Sequence, residues 1–227
     1  SSLPAEGYLQ GVKDLVHAHD AILIFDEVSC GWRISRGGAQ ELLGITPDMT
    51  VLAKAISNGY PMGAVVGSRE VMEPAGQMFI SSSYWSDNVG LAASLTNIRE
   101  LKRRDSNNQF KILGRKISNA LQEAIDSVGI SASVTGLHNR PAISFDLPDE
   151  SLEAKVNTLF IQELAKRGVI ISGTGFMPTL AQTDEDIRIT GEAVSETLAI
   201  VMKGLEGNLD NLLEVSLKEE PFRRLVR

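Results

Sequence analysis

Two acidic residues and a lysine follow apolar segments in the first quarter of the chain. The apolar run 21–25 is followed by Asp26 and Glu27, and a second apolar run, 50–53, leads directly into Lys54. Burial at a strand end disfavours the charged ammonium form of a lysine, and the neutral amine can attack an aldehyde. Each residue also has a plainer interpretation, because the lysine can begin a helix and reach water, and the aspartate can cap the next element.

Taken together, Asp26 and Lys54 fit the chemistry of an electron-sink cofactor with a pyridine ring. Such a ring stabilises a carbanion only while its nitrogen stays protonated. A carboxylate about 4 Å away stabilises the protonated nitrogen by roughly 4 kcal/mol at an effective dielectric constant near 20, which is enough at neutral pH. In this interpretation Asp26 keeps the ring nitrogen protonated and Lys54 binds the cofactor covalently.

The elements around these residues predict an α/β fold. A helix is expected before the strand 21–25, which is apolar on both faces, as in a parallel sheet covered by helices. Ligands of open α/β sheets bind at the carboxyl ends of the strands, where Asp26 and Lys54 are expected. The same patterns predict strands at 50–53 and 63–67 and a helix at 88–104, with Val89, Ala92, Leu95 and Ile98 on its apolar face.

The pattern changes after residue 105, which predicts two domains, 1–105 and 106–227. The second is expected to be a small α+β domain. Thr183 and Asp186 resemble a capping box that opens a long helix ending at Gly204 or Gly207. Other predicted elements of this domain are helices through 110–125 and 152–164 and strands at 142–147 and 169–171.

The composition argues against several classes of function. The 227 residues carry a net charge of −7, and the basic residues form no long runs, so nucleic-acid binding has little support. The single cysteine, Cys30, excludes an internal disulfide framework, and three scattered histidines give no metal-ligand spacing. We find neither a signal-like N-terminal segment nor an apolar run of roughly 20 residues, so we expect a metal-free cytoplasmic protein without a membrane segment.

The segments around Asp26 and Lys54 resemble the class III aminotransferases, which depend on pyridoxal 5'-phosphate (PLP). The resemblance is carried by ILIFDEV at 22–28, GWR at 31–33, GGAQ at 37–40, TPD at 46–48 and LAKAISNGYPMGA at 52–64. Within that class, GGAQ, SSSYWS at 81–86 and FRRL at 222–225 are most similar to glutamate-1-semialdehyde 2,1-aminomutase and its aminotransferase-like relatives.

The resemblance implies roles for four residues. Lys54 would form the Schiff base with PLP, Asp26 would hold the pyridine nitrogen, and Val28 would pack against the ring. Ser83, with Ser82 as a substitute, stands where the family has a hydroxyl that binds the cofactor phosphate of the neighbouring subunit. The resemblance further implies part of the large domain of the fold type I PLP-dependent transferases, a homodimer with shared cofactor sites, and a small amino-group donor or acceptor as substrate.

The resemblance corresponds to only the second half of a family member. The upstream half of the family supplies the phosphate cup, the aromatic residue that stacks on the ring and much of the substrate pocket. The chain is therefore a fragment of a longer enzyme, a chain completed by another polypeptide, or a degenerate relative. On its own, the 227-residue polypeptide is expected to bind PLP weakly or not at all, and to associate with itself or with a partner chain.

Three functions remain in competition. The leading hypothesis is PLP-dependent amino-group transfer, as an aminotransferase or an aminomutase, through a Schiff base on Lys54. The first alternative is a non-catalytic fragment or assembly subunit related to these enzymes. The second is a dinucleotide-binding domain, which would need a glycine fingerprint after the strand 21–25, and no such fingerprint follows it.

Overall fold

The computed structural model describes residues 3–81 and 87–217. The chain forms two compact units, and the division falls between Phe110 and Lys111. The predicted boundary, between residues 105 and 106, lies at the start of the helix Ser106–Val128, which contains this division. The two units are described separately below.

The first unit contains a three-stranded sheet in the order β1-β2-β3. Strand β1 (Ile24–Asp26) pairs with β2 (Met49–Leu52) in parallel, and β2 pairs with β3 (Ala64–Gly67) in antiparallel orientation. The described part of the sheet is therefore mixed, whereas a mostly parallel sheet was expected. The connection 53–63 turns the chain back because it is shorter than the crossover of about a dozen or more residues that a parallel pair needs.

Strand β1 begins later than the predicted strand 21–25 and includes Asp26 as its last residue. Ile22 and Ile24 are each 51% exposed, so the expectation of a strand covered on both faces is wrong for this unit taken by itself. The apolar run was interpreted as fully buried from its composition alone, and composition does not distinguish a central strand from one with an open edge.

Asp48 joins three elements at the amino ends of β1 and β2. Its Oδ2 accepts hydrogen bonds from the backbone N–H of Leu23 at 2.8 Å and from Nε2 of His17 at 2.9 Å. These two bonds lower the pKa of the Asp48 carboxyl. The backbone carbonyl of Asp48 accepts a third bond, from the N–H of Ser68 just after β3.

The described residues of the first unit contain four complete α-helices. They are α1 (Tyr8–Ala18), α2 (Gly38–Leu43), α3 (Arg69–Met72) and α4 (Asn88–Arg103). The helices expected before the first strand and at 88–104 are confirmed as α1 and α4.

The apolar face expected for α4 is largely exposed within this unit. Val89 and Leu95 are 56% and 52% exposed, whereas Gly90 and Ser94 are buried. The reason is a close approach of the backbone, because a Cβ atom on Gly90 would lie 2.7 Å from the carbonyl oxygen of Pro61. A side chain at Gly90 would not fit there, and Val89 and Leu95 lie on the exposed side of the helix.

The second unit begins within α5 (Ser106–Val128) and contains a two-stranded antiparallel sheet, β4 (Ala132–Thr135) with β5 (Ala142–Phe145). Three more helices follow: α6 (Glu150–Lys166), α7 (Asp184–Lys203) and α8 (Leu209–Leu212). The fully buried side chains that form its core include Leu121, Val156, Leu159, Phe160, Leu164, Val194, Leu198 and Val201. The expected small α+β arrangement is thus present in this unit.

Two local predictions in the second unit have opposite outcomes. The capping box of α7 is confirmed, since the side chains of Thr183 and Asp186 each accept the other's backbone N–H. The expected strand 169–171 is wrong within the described residues, and Ile170 is 89% exposed there. Instead the backbone of 174–176 bonds alongside β5, through N–H of Ile143 to the carbonyl of Thr174 and N–H of Phe176 to the carbonyl of Pro141.

None of the helices within 3–81 and 87–217 combines the length and the apolar character needed to cross a membrane.

Candidate active site

Asp26 and Lys54 lie at the carboxyl ends of neighbouring parallel strands. Asp26 is the last residue of β1 and is in register with Val51 of β2. Lys54 follows two residues after β2 ends at Leu52 and begins a single 3-10 turn. Both side chains are exposed within this unit, so the burial expected for the lysine does not come from the described residues of the unit itself. The structure brings to one edge of the sheet the two residues that the sequence singles out.

The amine of Lys54 contacts a hydroxyl that sequence reasoning missed. Nζ of Lys54 donates a hydrogen bond of 2.6 Å to Oγ of Ser29, in the turn that follows β1. The two residues are 25 positions apart, and parallel pairing of β1 with β2 brings them together. No spacing or residue pattern in the sequence indicates this contact.

The backbone at Lys54 adopts a conformation that side chains other than glycine rarely take. Its φ is +47°, in the left-handed region. The turn after it is held from α4, where Nδ2 of Asn97 donates to the carbonyl oxygens of Ala55 at 2.6 Å and Ile56 at 3.3 Å. Backbone strain of this kind persists where surrounding contacts enforce it, and it clusters at functional sites. Asn97 is a second residue that the sequence did not indicate.

Asp26 and Val28 belong to the same tight turn. Oδ1 of Asp26 accepts the backbone N–H of Val28 at 2.9 Å, the local bond that aspartate often makes two residues ahead. The side chain of Val28 is half-buried. The carboxylate is therefore tied to its own turn while remaining exposed at the edge of the sheet.

Glu27, next to Asp26, is buried and bonds to the backbone of the segment that follows. It is 1% exposed, and its Oε1 accepts the backbone N–H groups of Ala39 and Gln40 at the start of α2. Burial raises the pKa of Glu27, although the two N–H groups oppose this effect. Gly38 packs directly on the carboxylate, which leaves no room for a side chain.

Cys30 lies in the same turn as Asp26 and Glu27. Burial, with the charges of Glu27 and Asp26, raises the pKa of the Cys30 thiol and so keeps it protonated. No group of three or more His, Cys, Asp or Glu side chains suited to a metal ion occurs in the described parts of the chain. Ser83 and its substitute Ser82 lie outside the described residues, as does the motif at 222–225.

The residues at the strand ends supply the two groups needed to bind an aromatic aldehyde whose ring nitrogen is protonated. An amine that can bond to an aldehyde carbon is supplied by Lys54, and a carboxylate that can pair with a protonated ring nitrogen is supplied by Asp26. Val28 adds an apolar surface in the same turn. The chemistry of these side chains fits such a group.

Comparison with known families assigns the chain to one of them. The family model described as "Aminotransferase class-III" matches residues 2–198. The chain belongs to the class III aminotransferases. Its fold is accordingly that of the fold type I PLP-dependent transferases, and its most similar relatives carry the names of aminotransferases and aminomutases.

Three relatives illustrate the similarity of this class III chain. It is 34% identical over 206 residues to 3-aminobutyryl-CoA aminotransferase of Cloacimonas acidaminovorans (strain Evry), covering 89% of the chain and 50% of the relative. It is 32% identical over 213 residues to glutamate-1-semialdehyde 2,1-aminomutase 2 of Brevibacillus brevis (strain 47 / JCM 6285 / NBRC 100599), covering 88% and 50%. A transaminase solved with PLP bound is similar over 88% of the chain and 49% of its own length, with a TM-score of 0.78 and 26% identity. The chain spans about half the length of the curated relatives it matches.

Proposed function

We propose that this chain supplies the lysine and the acid of a PLP-dependent enzyme that transfers amino groups, as an aminotransferase or an aminomutase. The observation that supports this most directly is the parallel register of β1 and β2, which sets Asp26 and Lys54 at one edge of the sheet. Membership of the class III family and the fit of the side chains to a pyridine aldehyde support the same conclusion.

In this proposal each residue has a distinct task. Nζ of Lys54 would hold the cofactor aldehyde, and as a free amine it would move a proton at the substrate carbon. The carboxylate of Asp26 pairs with the ring nitrogen and keeps it protonated. The side chain of Val28 packs on the ring face, and Ser83 contributes its hydroxyl to the cofactor phosphate of a neighbouring subunit. PLP itself supplies the electron sink that stabilises a carbanion at the substrate.

We further propose a homodimer that shares its cofactor sites, located in the cytoplasm and acting on a small amino-group donor or acceptor. The exposed apolar face of α4 supports an assembly, because apolar side chains gathered on one helix face are usually covered by protein. The single free Cys30 is compatible with a reducing compartment.

The second candidate function is a non-catalytic assembly subunit related to these enzymes. The observation that favours it is that Asp26 and Lys54 are both exposed within the described residues of their unit. The two functions differ in one measurable respect, which is whether a cofactor becomes covalently attached at residue 54.

Borohydride reduction of the PLP-loaded holoenzyme tests the proposal. Reduction should fix the cofactor to Lys54, which peptide mass spectrometry identifies, and Lys54→Ala should abolish the adduct and lower the rate of transamination by orders of magnitude. Lys102→Ala, at an exposed lysine in the last turn of α4, is the matched control and should leave both unchanged. An adduct on another lysine, or full turnover in Lys54→Ala, would overturn the assignment.

A further inference from the structure

We propose that Ser29 is a positioning residue that holds the free amine of Lys54 in place. This inference rests on the proposed function, in which the amine is released from the cofactor and then carries a proton. The contact that suggests it is the 2.6 Å hydrogen bond from Nζ of Lys54 to Oγ of Ser29. A lysine side chain has four rotatable bonds, so a released amine needs a partner if it is to return to one position.

The backbone is held on both sides of this contact. The turn around Ser29 is closed by the bond from the N–H of Val28 to Asp26 and by the 2.8 Å bond from the N–H of Gly31 to the carbonyl of Glu27. On the other side, the carbonyl of Lys54 accepts the N–H of Asn58 at 3.1 Å. These backbone bonds therefore fix the position of Oγ of Ser29 relative to the backbone of Lys54.

The amine bonds to a neutral group although two carboxylates stand in the same turn. Asp26 is in register with Val51, and the N–H of Glu27 donates to the carbonyl of Val51 at 2.9 Å, so both acids lie at the same edge of the sheet as Lys54. Yet Asp26 uses Oδ1 for a backbone N–H, and Oε1 of Glu27 accepts the N–H groups at the start of α2. A carboxylate bound to the amine would favour the ammonium form, which cannot attack an aldehyde.

A hydroxyl also suits a group whose protonation changes during the reaction. The ammonium can only donate hydrogen bonds, whereas the neutral amine can donate or accept one, and a serine hydroxyl can do both. A carboxylate could only accept. Ser29 can therefore keep its bond to Nζ of Lys54 in either protonation state, which a proton-carrying lysine requires.

The first test separates positioning from cofactor attachment in the holoenzyme. Ser29→Ala should lower kcat about two- to tenfold, the effect expected from losing one hydrogen bond, with KM and the borohydride adduct on Lys54 unchanged. Ser29→Thr retains the hydroxyl and should restore kcat. Ser68→Ala, which removes a hydroxyl that accepts the backbone N–H of Val71 in the same unit, is the control. If Ser29→Ala has the kcat of Ser68→Ala, or if Ser29→Thr is as slow as Ser29→Ala, the proposal is wrong.

The second test does not depend on activity. In the protein stripped of cofactor, the rate at which acetic anhydride labels Lys54 is followed against pH by peptide mass spectrometry. Ser29→Asp should move the half-maximal labelling of Lys54 to higher pH, because the new carboxylate stabilises the ammonium. Ser68→Asp should not move it. An unchanged profile in Ser29→Asp would show that the amine does not lie at Ser29, whatever the outcome of the borohydride experiment, so the two proposals fail separately.

Discussion

Gly38 lies so close to the buried carboxylate of Glu27 that a Cβ atom on the glycine would come within 2.4 Å of Oε1. The same glycine has φ of +73°, a conformation that favours residues without a side chain. Two independent constraints therefore act at one residue, and they explain why the segment 37–40 can fold over the acid.

Gly38→Ala should destabilise the first unit more than a change at an otherwise similar glycine. Gly44 also has a left-handed backbone, with φ of +69°, but nothing lies within 4 Å of its Cβ position. Gly44→Ala should cost about 1 kcal/mol for the backbone alone, and Gly38→Ala should cost about 1–3 kcal/mol more because of the steric clash. Urea unfolding of the two variants measures the difference, and equal losses would show that Glu27 moves aside at no cost.

Asp26→Asn and Glu27→Gln should separate catalysis from structure at adjacent residues. Asp26→Asn keeps the size of the side chain and removes the charge, so kcat should fall by about two to three orders of magnitude, since roughly 4 kcal/mol of stabilisation is lost. Glu27→Gln should alter stability while leaving kcat within about tenfold, because that side chain bonds to the backbone of α2. Steady-state kinetics with fully bound PLP checks both, and a larger catalytic loss in Glu27→Gln would show that the wrong acid was assigned to the ring nitrogen.

Two buried glutamates should affect stability in opposite directions with pH. Burial raises the pKa of Glu27 above its ordinary 4.5, so the folded state binds the proton of this carboxyl more tightly than the unfolded state does. The protonated carboxyl therefore stabilises the folded state fully below pH 4.5. This stabilisation is lost as the pH rises through the raised pKa. Burial would also raise the pKa of Glu163, but hydrogen bonds from Lys166, Gln162 and Arg167 outweigh burial and lower it. Its stabilisation is present above pH 4.5 and is lost as the pH falls through the lowered pKa.

The measurement is the free energy of unfolding as a function of pH for wild type, Glu27→Gln and Glu163→Gln. Wild type should lose stability above pH 4.5 because of Glu27, and Glu27→Gln should lack this loss. Wild type should also lose stability below pH 4.5 because of Glu163, and Glu163→Gln should lack that loss. Identical pH profiles for the two variants would contradict the assigned directions.

The 227-residue polypeptide, expressed alone, should bind PLP weakly and should not be a monodisperse monomer. It spans about half the length of the curated relatives, and phosphate recognition normally needs several backbone N–H groups and hydroxyls beyond the lysine and the acid. Spectroscopic titration with PLP combined with analytical ultracentrifugation checks this. Stoichiometric, tight binding by a monomer would show that these residues form a sufficient site by themselves.

Local patterns in the sequence are enough to predict that Asp26 and Lys54 lie at one edge of the sheet. Each follows a short apolar strand, and the parallel pairing of consecutive strands brings such ends together. The contact with Ser29 and the bonds from Asn97 could not be predicted in this way, because they join residues 25, 42 and 41 positions apart through the folded sheet and α4. Sequence periodicity describes one element at a time and carries no information about such contacts.

The exposure of the apolar face of α4 could not be predicted for a related reason. Periodicity identifies the apolar face of a helix, but it does not tell which protein surface covers that face. Here Gly90 permits the close approach of α4 to Pro61, since a Cβ atom there would lie 2.7 Å from the carbonyl oxygen of Pro61. The positions of the small residues, taken with the turn-forming Pro61, were the available signal.

The carboxylate of Asp48 matters for engineering, although it lies at the amino ends of β1 and β2, away from Asp26 and Lys54. By binding the N–H of Leu23 at the amino end of β1, it aligns this strand against β2, whose first residue follows Asp48 directly. A slip of one residue in this alignment would turn Asp26 to the opposite face of the sheet. Asp48 therefore fixes the register of β1 against β2. Mutant libraries designed to change substrate preference should keep Asp48 unchanged and vary the turns.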